Sequence, residues 1–346
     1  MDNFTPLEKR LLKSVSLMTK LTMWLFFIVI GLLIYIVTLT ENTYWGEVPD
    51  KDQTSASVVK VKDPNGFWES PSISTVKEDE QKKLIEYGKE LIANTALYFG
   101  PKGSVHPMST NGMNCQNCHL NAGTKVFGNN YGAVAATYPK YRARSGGIED
   151  IYKRVNDCFE RSLNGQPIDN NTKEMKAIVA YIQFLGKEVP KGSKPKGVGF
   201  QDLALLDRAC DPKFGALVYK RKCASCHQAN GEGQLSPNGD RFVYPPLWGP
   251  NSYNDGAGLY RITNFAKFVK ANMPLGASHD NALLTDEEAW DVAAYVNSQP
   301  RPKKDISKDW PKIEEKPMDH PFGPFADKYS ENQHKFGPWQ SMKNKK

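Results

Sequence analysis

The chain has 346 residues, which is too long for one compact core, since domains usually hold about 100–150 residues. Apolar residues make up 40% of it and charged residues 24%, a composition that excludes wholesale disorder. The formal net charge of +7 favours anionic small molecules or a membrane surface. No motif typical of nucleic-acid binding accompanies this charge, so we expect no nucleic-acid partner.

Residues 21–40 form an uncharged, strongly apolar run near the N-terminus. A hydrocarbon core roughly 30 Å thick requires about 20 helical residues, so the run predicts a transmembrane anchor. A cleaved signal peptide is the alternative, but its apolar region is usually about 7–15 residues long. Basic residues precede the run, which predicts a cytoplasmic tail at 1–20 and a single pass through the bacterial cytoplasmic membrane. Everything after residue 41 is then expected on the periplasmic side.

Two copies of the pattern CxxCH predict the cofactor. They comprise Cys115, Cys118 and His119 in the first half, and Cys223, Cys226 and His227 in the second. CxxCH is the attachment pattern of c-type haem, in which the two thiols bind the haem edge and the histidine reaches the iron. A zinc site or a redox dithiol would explain CxxC, but neither explains the repeated histidine. The sequence therefore predicts two covalently bound haem c groups.

The second CxxCH lies between two predicted helices. Phe214–Lys222 reads as a short amphipathic helix that ends at the motif, and Gly231-Glu232-Gly233 follows as a loop. Thr285-Asp-Glu-Glu288 is a capping box that opens a closing helix, which Pro300 stops. This order is that of a small cytochrome c domain.

The first half repeats the plan. Leu84–Leu91 is the opening helix, and Asn171–Glu174 can cap a closing helix that runs through Leu185. Ala180-Tyr181-Ile182 mirrors Ala294-Tyr295-Val296. We predict an all-α fold with two cytochrome c domains, an N-terminal transmembrane helix and an irregular C-terminal tail. The expected boundaries are a linker at 41–76, a catalytic domain at 77–190, an electron-transfer domain at 191–300 and an extension at 301–346. The stretch 187–199, rich in lysine, glycine and proline, is expected to link the two domains.

Each haem iron needs a further axial ligand or a vacancy for substrate. In the second domain Met273 precedes a proline twelve residues before Thr285, a familiar ligand position in small cytochromes c. At the equivalent position of the first domain, thirteen residues before Asn171, stands Cys158. This position therefore predicts a cysteine sulfur as the sixth ligand of the first haem. A disulfide between Cys158 and Cys210 is the alternative, and Cys210 has no other predicted role.

The segment around Cys158 resembles the active-site segment of the dihaem thiosulfate dehydrogenases, also called tetrathionate synthases. The resemblance rests on the run Asn156-x-Cys158-Phe159-x-Arg161-Ser162-x-Asn164-Gly165 and on tail motifs such as Asp309-Trp310-Pro311. It covers roughly residues 77 to 340. It implies interconversion of two thiosulfates and tetrathionate with two electrons, together with an electron carrier, such as a cytochrome c, as partner.

The resemblance also implies particular site residues. His119 and Cys158 would ligate a catalytic haem, while His227 and Met273 would ligate an electron-exit haem. Arg144, Arg154 and Ser162 would have active-site roles. Joining two dianions requires a cationic site, and the segment 140–161 supplies a basic stretch with arginine forks suited to sulfonate oxygens.

Two other functions are compatible with the same haem motifs. The chain could be a membrane-tethered dihaem electron carrier without a substrate of its own. It could also be the haem subunit of a sulfur-oxidation complex, in which a protein-bound thiol is the acceptor. A carrier predicts two haems of the Met/His type and no reaction with sulfur oxyanions, whereas the complex requires a partner with a mobile cysteine.

Overall fold

The structure is a computed structural model, and it describes residues 5–44 and 66–343. The ends of the chain at 1–4 and 344–346, and most of the predicted linker, lie outside the described residues. The chain divides into two compact units, residues 1–60 and 61–346. We describe each unit by itself.

The first unit contains one long helix, α1 (Pro6–Tyr44). Its apolar stretch Lys13–Tyr35 has 23 residues, a mean hydropathy of 2.2 and no buried fraction. At 1.5 Å per residue such a stretch is about 34 Å long, enough to cross a bilayer. A signal sequence has the same appearance, so the helix is consistent with both readings of residues 21–40.

The second unit is mostly helical. Its first half contains α2 (Asp79–Ala93), α3 (Thr95–Phe99), α4 (Leu120–Gly123), α5 (Val134–Thr137), α6 (Ile151–Arg161) and α7 (Lys173–Leu185). Its second half contains α8 (Pro212–Lys222), α9 (Ala224–His227), α10 (Ile262–Asn272), α11 (Asp286–Ser298), α12 (Glu331–Phe336) and α13 (Gln340–Lys343). Short 3-10 turns lie at Ile73–Thr75, Cys115–Asn117, Gly258–Tyr260 and Ile313–Glu315.

Two antiparallel ribbons interrupt the helices. The first pairs β1 (Lys140–Arg142) with β2 (Gly147–Glu149), so that Tyr141 faces Ile148. The second pairs β3 (Gln234–Leu235) with β4 (Phe242–Tyr244) and contains a register shift. The sequence does not predict these ribbons, because segments of two or three residues are too short to show an alternating pattern.

The opening and closing helices of each half cross at a glycine. A Cβ on Gly88 of α2 would lie 2.0 Å from the carbonyl oxygen of Ala177 in α7, and 2.8 Å from Cβ of Tyr181. A Cβ on Gly215 of α8 would lie 1.9 Å from the carbonyl oxygen of Asp291 in α11, and 2.9 Å from Cβ of Tyr295. The two halves therefore have the same kind of helix crossing, as the repeated order of predicted helices indicated.

Each half has its own apolar core. The first core is formed by α2, α3, α6 and α7 and includes Leu91, Phe99, Phe159 and Ile178. The second is formed by α8, α10 and α11 and includes Trp290, which is fully buried. Both predicted closing helices form, and their caps explain where they begin. Thr172 accepts a hydrogen bond from the Met175 amide, and Thr285 forms the predicted capping box with Glu288.

Two segments predicted as connections belong to the folded body. Trp68 lies in the interval 41–76, yet it is buried in the first core and its amide donates to the Lys196 carbonyl at 2.9 Å. Residues 196–200 lie in the interval assigned to the second domain, but the Phe127 and Asn129 amides donate to the Gly197 and Gly199 carbonyls. The high glycine, proline and lysine content of 187–199 suggested a free linker, whereas these backbone hydrogen bonds fix it against the first half.

The C-terminal extension packs on both halves. Asp309 pairs with Arg161 at the end of α6, and both nitrogen–oxygen distances are 2.8 Å. Asp319 is buried and binds Arg261 and Thr263 beside α10. Trp339 is 1% exposed and its ring packs against Trp290 of α11. The predicted irregular tail is therefore an integral part of the second unit.

Candidate active site

The first CxxCH lies on the wall of a cavity of about 410 Å³. Cys115 begins a 3-10 turn whose preceding residue, Asn114, exchanges hydrogen bonds with Asn117 in a capping box. This turn directs both thiols toward the same space. Cys115, Cys118 and His119 all line the cavity, and all three belong to one short segment. Burial raises the pKa of both thiols to about 12.

The imidazole of His119 is held by two contacts. Its Nδ1 donates to the Asn129 carbonyl at 2.6 Å, and the ring stacks on Tyr131 with centroids 4.5 Å apart. A Cβ on Gly123 would lie 2.0 Å from the Tyr131 ring, so only glycine permits this stacking. Burial lowers the pKa of His119 to about 4, which keeps the ring neutral. With Nδ1 occupied, Nε2 is the nitrogen left for an iron ligand.

Cys158 reaches the same cavity from α6. That helix begins after Asp150, whose side chain accepts from the Lys153 amide. One turn before the cysteine, Arg154 directs its Nη1 at the Cys158 sulfur, 3.3 Å away. The cysteine thiolate raises the pKa of Arg154 further above its ordinary value, since the two charges attract each other. The helix thus presents a sulfur and a cation together to the first CxxCH.

The alternative disulfide between Cys158 and Cys210 is absent from the structure, where both cysteines are free. Cys210 is 4% exposed and packs in the second core, where its amide donates to the Phe336 carbonyl at 2.8 Å. Burial raises the pKa of its thiol to about 12. Cys210 is therefore a core residue, and Cys158 remains free to act in the cavity.

The three polar residues expected around Cys158 occupy different places. Arg154 and Ser162 line the cavity, but Arg144 is not among its lining residues. Arg144 instead lies near the tail: its carbonyl accepts from the Trp310 amide at 2.7 Å, and its guanidinium is 5.8 Å from the Trp310 ring. Burial, followed by repulsion from Arg161 and Arg154, lowers the pKa of Arg144 to about 10.

Three further cations line the cavity. They are Lys140, Arg142 and Lys194. The first two belong to the basic stretch noted in the sequence, although that stretch did not show which members face the site. Lys194 lies in the segment after α7, more than thirty residues from Cys158, and no local pattern marked it.

The second CxxCH follows the same local plan as the first. Cys223 comes directly after α8, and His227 ends α9. Nδ1 of His227 donates to the Pro245 carbonyl at 2.8 Å, and burial lowers the pKa of the ring below its ordinary value. As at His119, the remaining nitrogen Nε2 is left for a metal.

Met273 comes directly after α10 and is half-buried. It packs against the same apolar cluster as Cys223 of the second CxxCH. The thioether and the motif therefore belong to one core, which is the arrangement that the predicted ligand role requires.

The loops that carry the two sites are in direct contact. Asn272, next to Met273, donates to the Phe127 carbonyl at 3.1 Å, and Lys125 donates to the Ala277 carbonyl at 3.3 Å. Phe127 and Lys125 belong to the loop that follows His119. Cys118 packs against the second core. The chain therefore places its two CxxCH motifs on adjoining surfaces, as electron transfer between two cofactors requires.

The residues present fit haem c at both sites. Each has two free cysteines, a neutral histidine with Nδ1 bound to a carbonyl, and an apolar surround. The SoxA/TsdA cytochrome c domain family matches residues 105–190, and the cytochrome c family matches residues 213–300. The protein is therefore a c-type cytochrome with two covalently attached haem c groups.

Comparison with individual relatives identifies the family within this class of cytochromes. A thiosulfate dehydrogenase of Psychrobacter arcticus is 37% identical over 244 residues, which cover 70% of this chain and 71% of the relative. A thiosulfate dehydrogenase of Allochromatium vinosum is 40% identical over 196 residues, or 56% of this chain and 71% of the relative. The chain belongs to the thiosulfate dehydrogenase family.

A solved structure agrees with this family. The thiosulfate dehydrogenase TsdBA from Marichromatium purpuratum, in its "as isolated" form, superposes with a TM-score of 0.64 at 33% identity. The match covers 70% of this chain and 51% of that one, so this chain spans about half the length of that protein.

Proposed function

We propose that this protein is a thiosulfate dehydrogenase that interconverts two thiosulfates with tetrathionate and two electrons. The observation that carries the proposal is the position of Cys158, whose sulfur lines one cavity with the first CxxCH and accepts a hydrogen bond from Arg154. A free thiol, a cation and an attachment motif for a redox cofactor are together suited to oxidising a sulfur anion.

The charge of the cavity suits this reaction. At an effective dielectric near 20, two unit charges 4 Å apart repel by about 4 kcal/mol, so two dianions repel by roughly 16 kcal/mol before screening. Arg154, Arg142 and the two lysines at 140 and 194 line the cavity and offset this repulsion. The arginine forks can bind sulfonate oxygens through paired charge-assisted hydrogen bonds.

We propose that His119 and Cys158 hold the iron of the first haem, and that His227 and Met273 hold the second. When bound, the haems supply one-electron redox centres. Cysteine/histidine ligation would give the first haem a lower reduction potential than methionine/histidine ligation would give the second. Electrons from thiosulfate would then pass from the first site to the second and on to a one-electron acceptor, such as a soluble or membrane-bound cytochrome c.

A balanced route through Cys158 has two halves. In the first, Cys158 would give up its ligand position, and its thiolate bonds to the sulfane sulfur of one thiosulfate while two electrons leave for the acceptor. In the second, the sulfane sulfur of another thiosulfate attacks that bound sulfur, so a new S–S bond forms while the bond to Cys158 breaks. Tetrathionate leaves and the thiolate is restored, with no net proton transfer. The reverse sequence reduces tetrathionate when a donor supplies the electrons.

We propose further that α1 anchors the protein in the bacterial cytoplasmic membrane, with both haem domains on the periplasmic side. The support is the length and hydropathy of the stretch Lys13–Tyr35, together with the basic residues that precede residue 21. Covalent haem attachment outside the cytoplasm agrees with this orientation.

Substitution of Cys158 tests the function. We expect Cys158→Met and Cys158→Gly to abolish thiosulfate oxidation in the holoprotein, because both remove the nucleophilic sulfur, while mass spectrometry still finds two haems attached. Cys210→Ala is the matched control, since this cysteine lies in the second core outside the cavity. Undiminished turnover in the Cys158 variants would contradict the proposed mechanism.

Electron paramagnetic resonance of the oxidised holoprotein tests the ligands separately from activity. Thiolate-ligated low-spin haem has a narrow g-anisotropy that Met/His haem lacks. We expect one such signal in the wild type and its loss in Cys158→Met. Two signals of the Met/His type in the wild type would instead favour an electron carrier without its own substrate.

A further inference from the structure

Three cations on the cavity wall, Lys140, Arg142 and Lys194, have no individual role in the route through Cys158. Lys140 and Arg142 are the two ends of β1, so a two-residue strand spacing places them on the same side of the ribbon. Lys194 comes from the segment between α7 and α8. Two separate parts of the chain therefore supply positive charge to one wall.

These cations have little internal compensation. Glu149 lies beside Arg142, with 3.8 Å between Nε and Oε2, and its other oxygen accepts from the Ser145 hydroxyl at 2.7 Å. Within residues 66–343, neither lysine forms a salt bridge with a carboxylate. Lys140 lies instead over the Tyr138 ring, 4.7 Å from its centroid.

The electrostatics agree with this geometry. The pKa of Lys140 is lowered by burial first, and then by repulsion from Arg142, Lys194 and Arg154, against one opposing contribution from Glu149. Cations with perturbed pKa values that gather in one cavity are typical of a functional site. Their position beside Cys158 favours a sulfur oxyanion as the ligand.

We propose that Lys140, Arg142 and Lys194 form a second oxyanion subsite, which holds the attacking thiosulfate while Arg154 and Cys158 hold the first. The inference rests on the proposed function, because a reaction that joins two sulfur dianions requires two anion subsites in one cavity. The lysine ammoniums are compact charges on flexible stems, so they can hold the sulfonate end while the sulfane sulfur moves toward Cys158.

The assignment makes Lys194 a specificity residue for the second substrate. Its side chain is exposed, so Lys194→Gln removes one charge without opening the core. Lys176 on α7 is a matched control, since it is also exposed and is absent from the cavity wall. Lys194→Arg retains the charge and is the conservative variant.

The experiment is calorimetric titration of thiosulfate into the holoprotein kept fully reduced, which cannot oxidise it. We expect each wild-type chain to bind two thiosulfates. Lys194→Gln is expected to lower the affinity of one of these two sites by about fivefold or more. Lys194→Arg and Lys176→Gln should match the wild type. In turnover, Lys194→Gln should raise KM with little change in kcat and weaken the dependence of kcat/KM on salt.

Identical thiosulfate binding by Lys194→Gln and the wild type would overturn the subsite. If the midpoint potential of the first haem also shifts in that variant, the lysine is a partner of the haem carboxylates instead. A third result separates the two proposals: the wild type binds two thiosulfates, Lys194→Gln weakens one of them, and the wild type does not turn thiosulfate over. This result would support the subsite and contradict the proposed function.

Discussion

At the scale of single residues, the candidate site pairs a sulfur with a cation that lies one helical turn away. Residues at i and i+4 lie on the same face of a helix, so Arg154 reaches Cys158 without any contribution from tertiary structure. The sulfur itself reaches the haem motif only because α6 packs beside the turn that carries Cys115. The arginine therefore places a positive charge 3.3 Å from the sulfur within a partly apolar cavity.

Arg154→Gln is expected to lower kcat/KM for thiosulfate by about a hundredfold or more, because it removes the donor to the sulfur and a charge that faces the dianion. Arg154→Lys should recover part of the activity, since it keeps the charge and loses the fork. Steady-state kinetics with an artificial one-electron acceptor would measure both effects.

Lys153→Gln is the control for that measurement. Lys153 is adjacent in sequence, but its ammonium lies 2.6 Å from Asp157 and it does not line the cavity. We expect its kcat/KM to stay within about threefold of the wild type, because the half-exposed ammonium pairs with Asp157 and is not directed into the cavity. Equal losses in the two variants would mean that Arg154 acts only through the general charge of α6.

At the scale of elements, the C-terminal extension fixes the end of the helix that carries Cys158. Arg161 and Asp309 form a bidentate pair, and their side chains are 10% and 12% exposed. Nearby, the side-chain amide of Asn254 donates to the Glu160 carbonyl at 2.9 Å, and its backbone amide donates to the Arg161 carbonyl at 3.1 Å. Both the extension and a loop of the second half thus hold the C-terminal turn of α6, so the position of the reactive sulfur depends on distant segments.

Asp309→Ala is expected to lower the free energy of unfolding by about 3–5 kcal/mol, because it leaves a buried arginine without its counter-ion. Denaturant unfolding followed by circular dichroism would measure this change. Lys83→Ala is the control, since it breaks a pair with Glu80 whose side chains are 70% and 85% exposed, and should cost about 1 kcal/mol or less. Similar losses in the two variants would show that the Arg161–Asp309 pair does not hold the tail in place.

At the scale of the whole molecule, the two halves of the second unit function as one body. The hydrogen bonds from Asn272 to Phe127 and from Lys125 to Ala277 join the segment that carries Met273 to the loop that follows His119. Each half keeps its own core and its own helix crossing at a glycine. The two halves therefore provide two similar cofactor sites, which differ in the residues beside them, such as Cys158 in the first and Met273 in the second.

Replacement of residues 1–60 by a cleavable export signal is expected to release a soluble periplasmic protein that retains both haems and full thiosulfate oxidation, because the second unit contains both cores and the cavity. Cell fractionation should find the full chain in the membrane fraction and the shortened chain in the periplasm. Mass spectrometry of the full chain should still detect the N-terminal residues. If the full-length gene instead gives a periplasmic product that begins near residue 40, the N-terminal segment is a cleaved signal peptide.

The sequence by itself predicted the two haem c groups, the duplicated helical plan and the apolar N-terminal helix. These features follow from local rules: CxxCH is contiguous, helix caps lie within four residues, and a membrane span is a continuous apolar run. Cys158 was also found from the sequence, because its distance from the closing helix matches that of Met273 in the other domain.

The tertiary structure alone decided which basic residues share the cavity and which do not. Arg144 and Arg142 are two residues apart, yet Arg142 lines the cavity while Arg144 contacts Trp310. Lys194 joins the cavity wall from a segment whose composition resembled a free linker. The packing of α6 against the tail also joins residues that are 148 positions apart. Such contacts depend on how whole elements pack in space, and no short window of sequence contains that information.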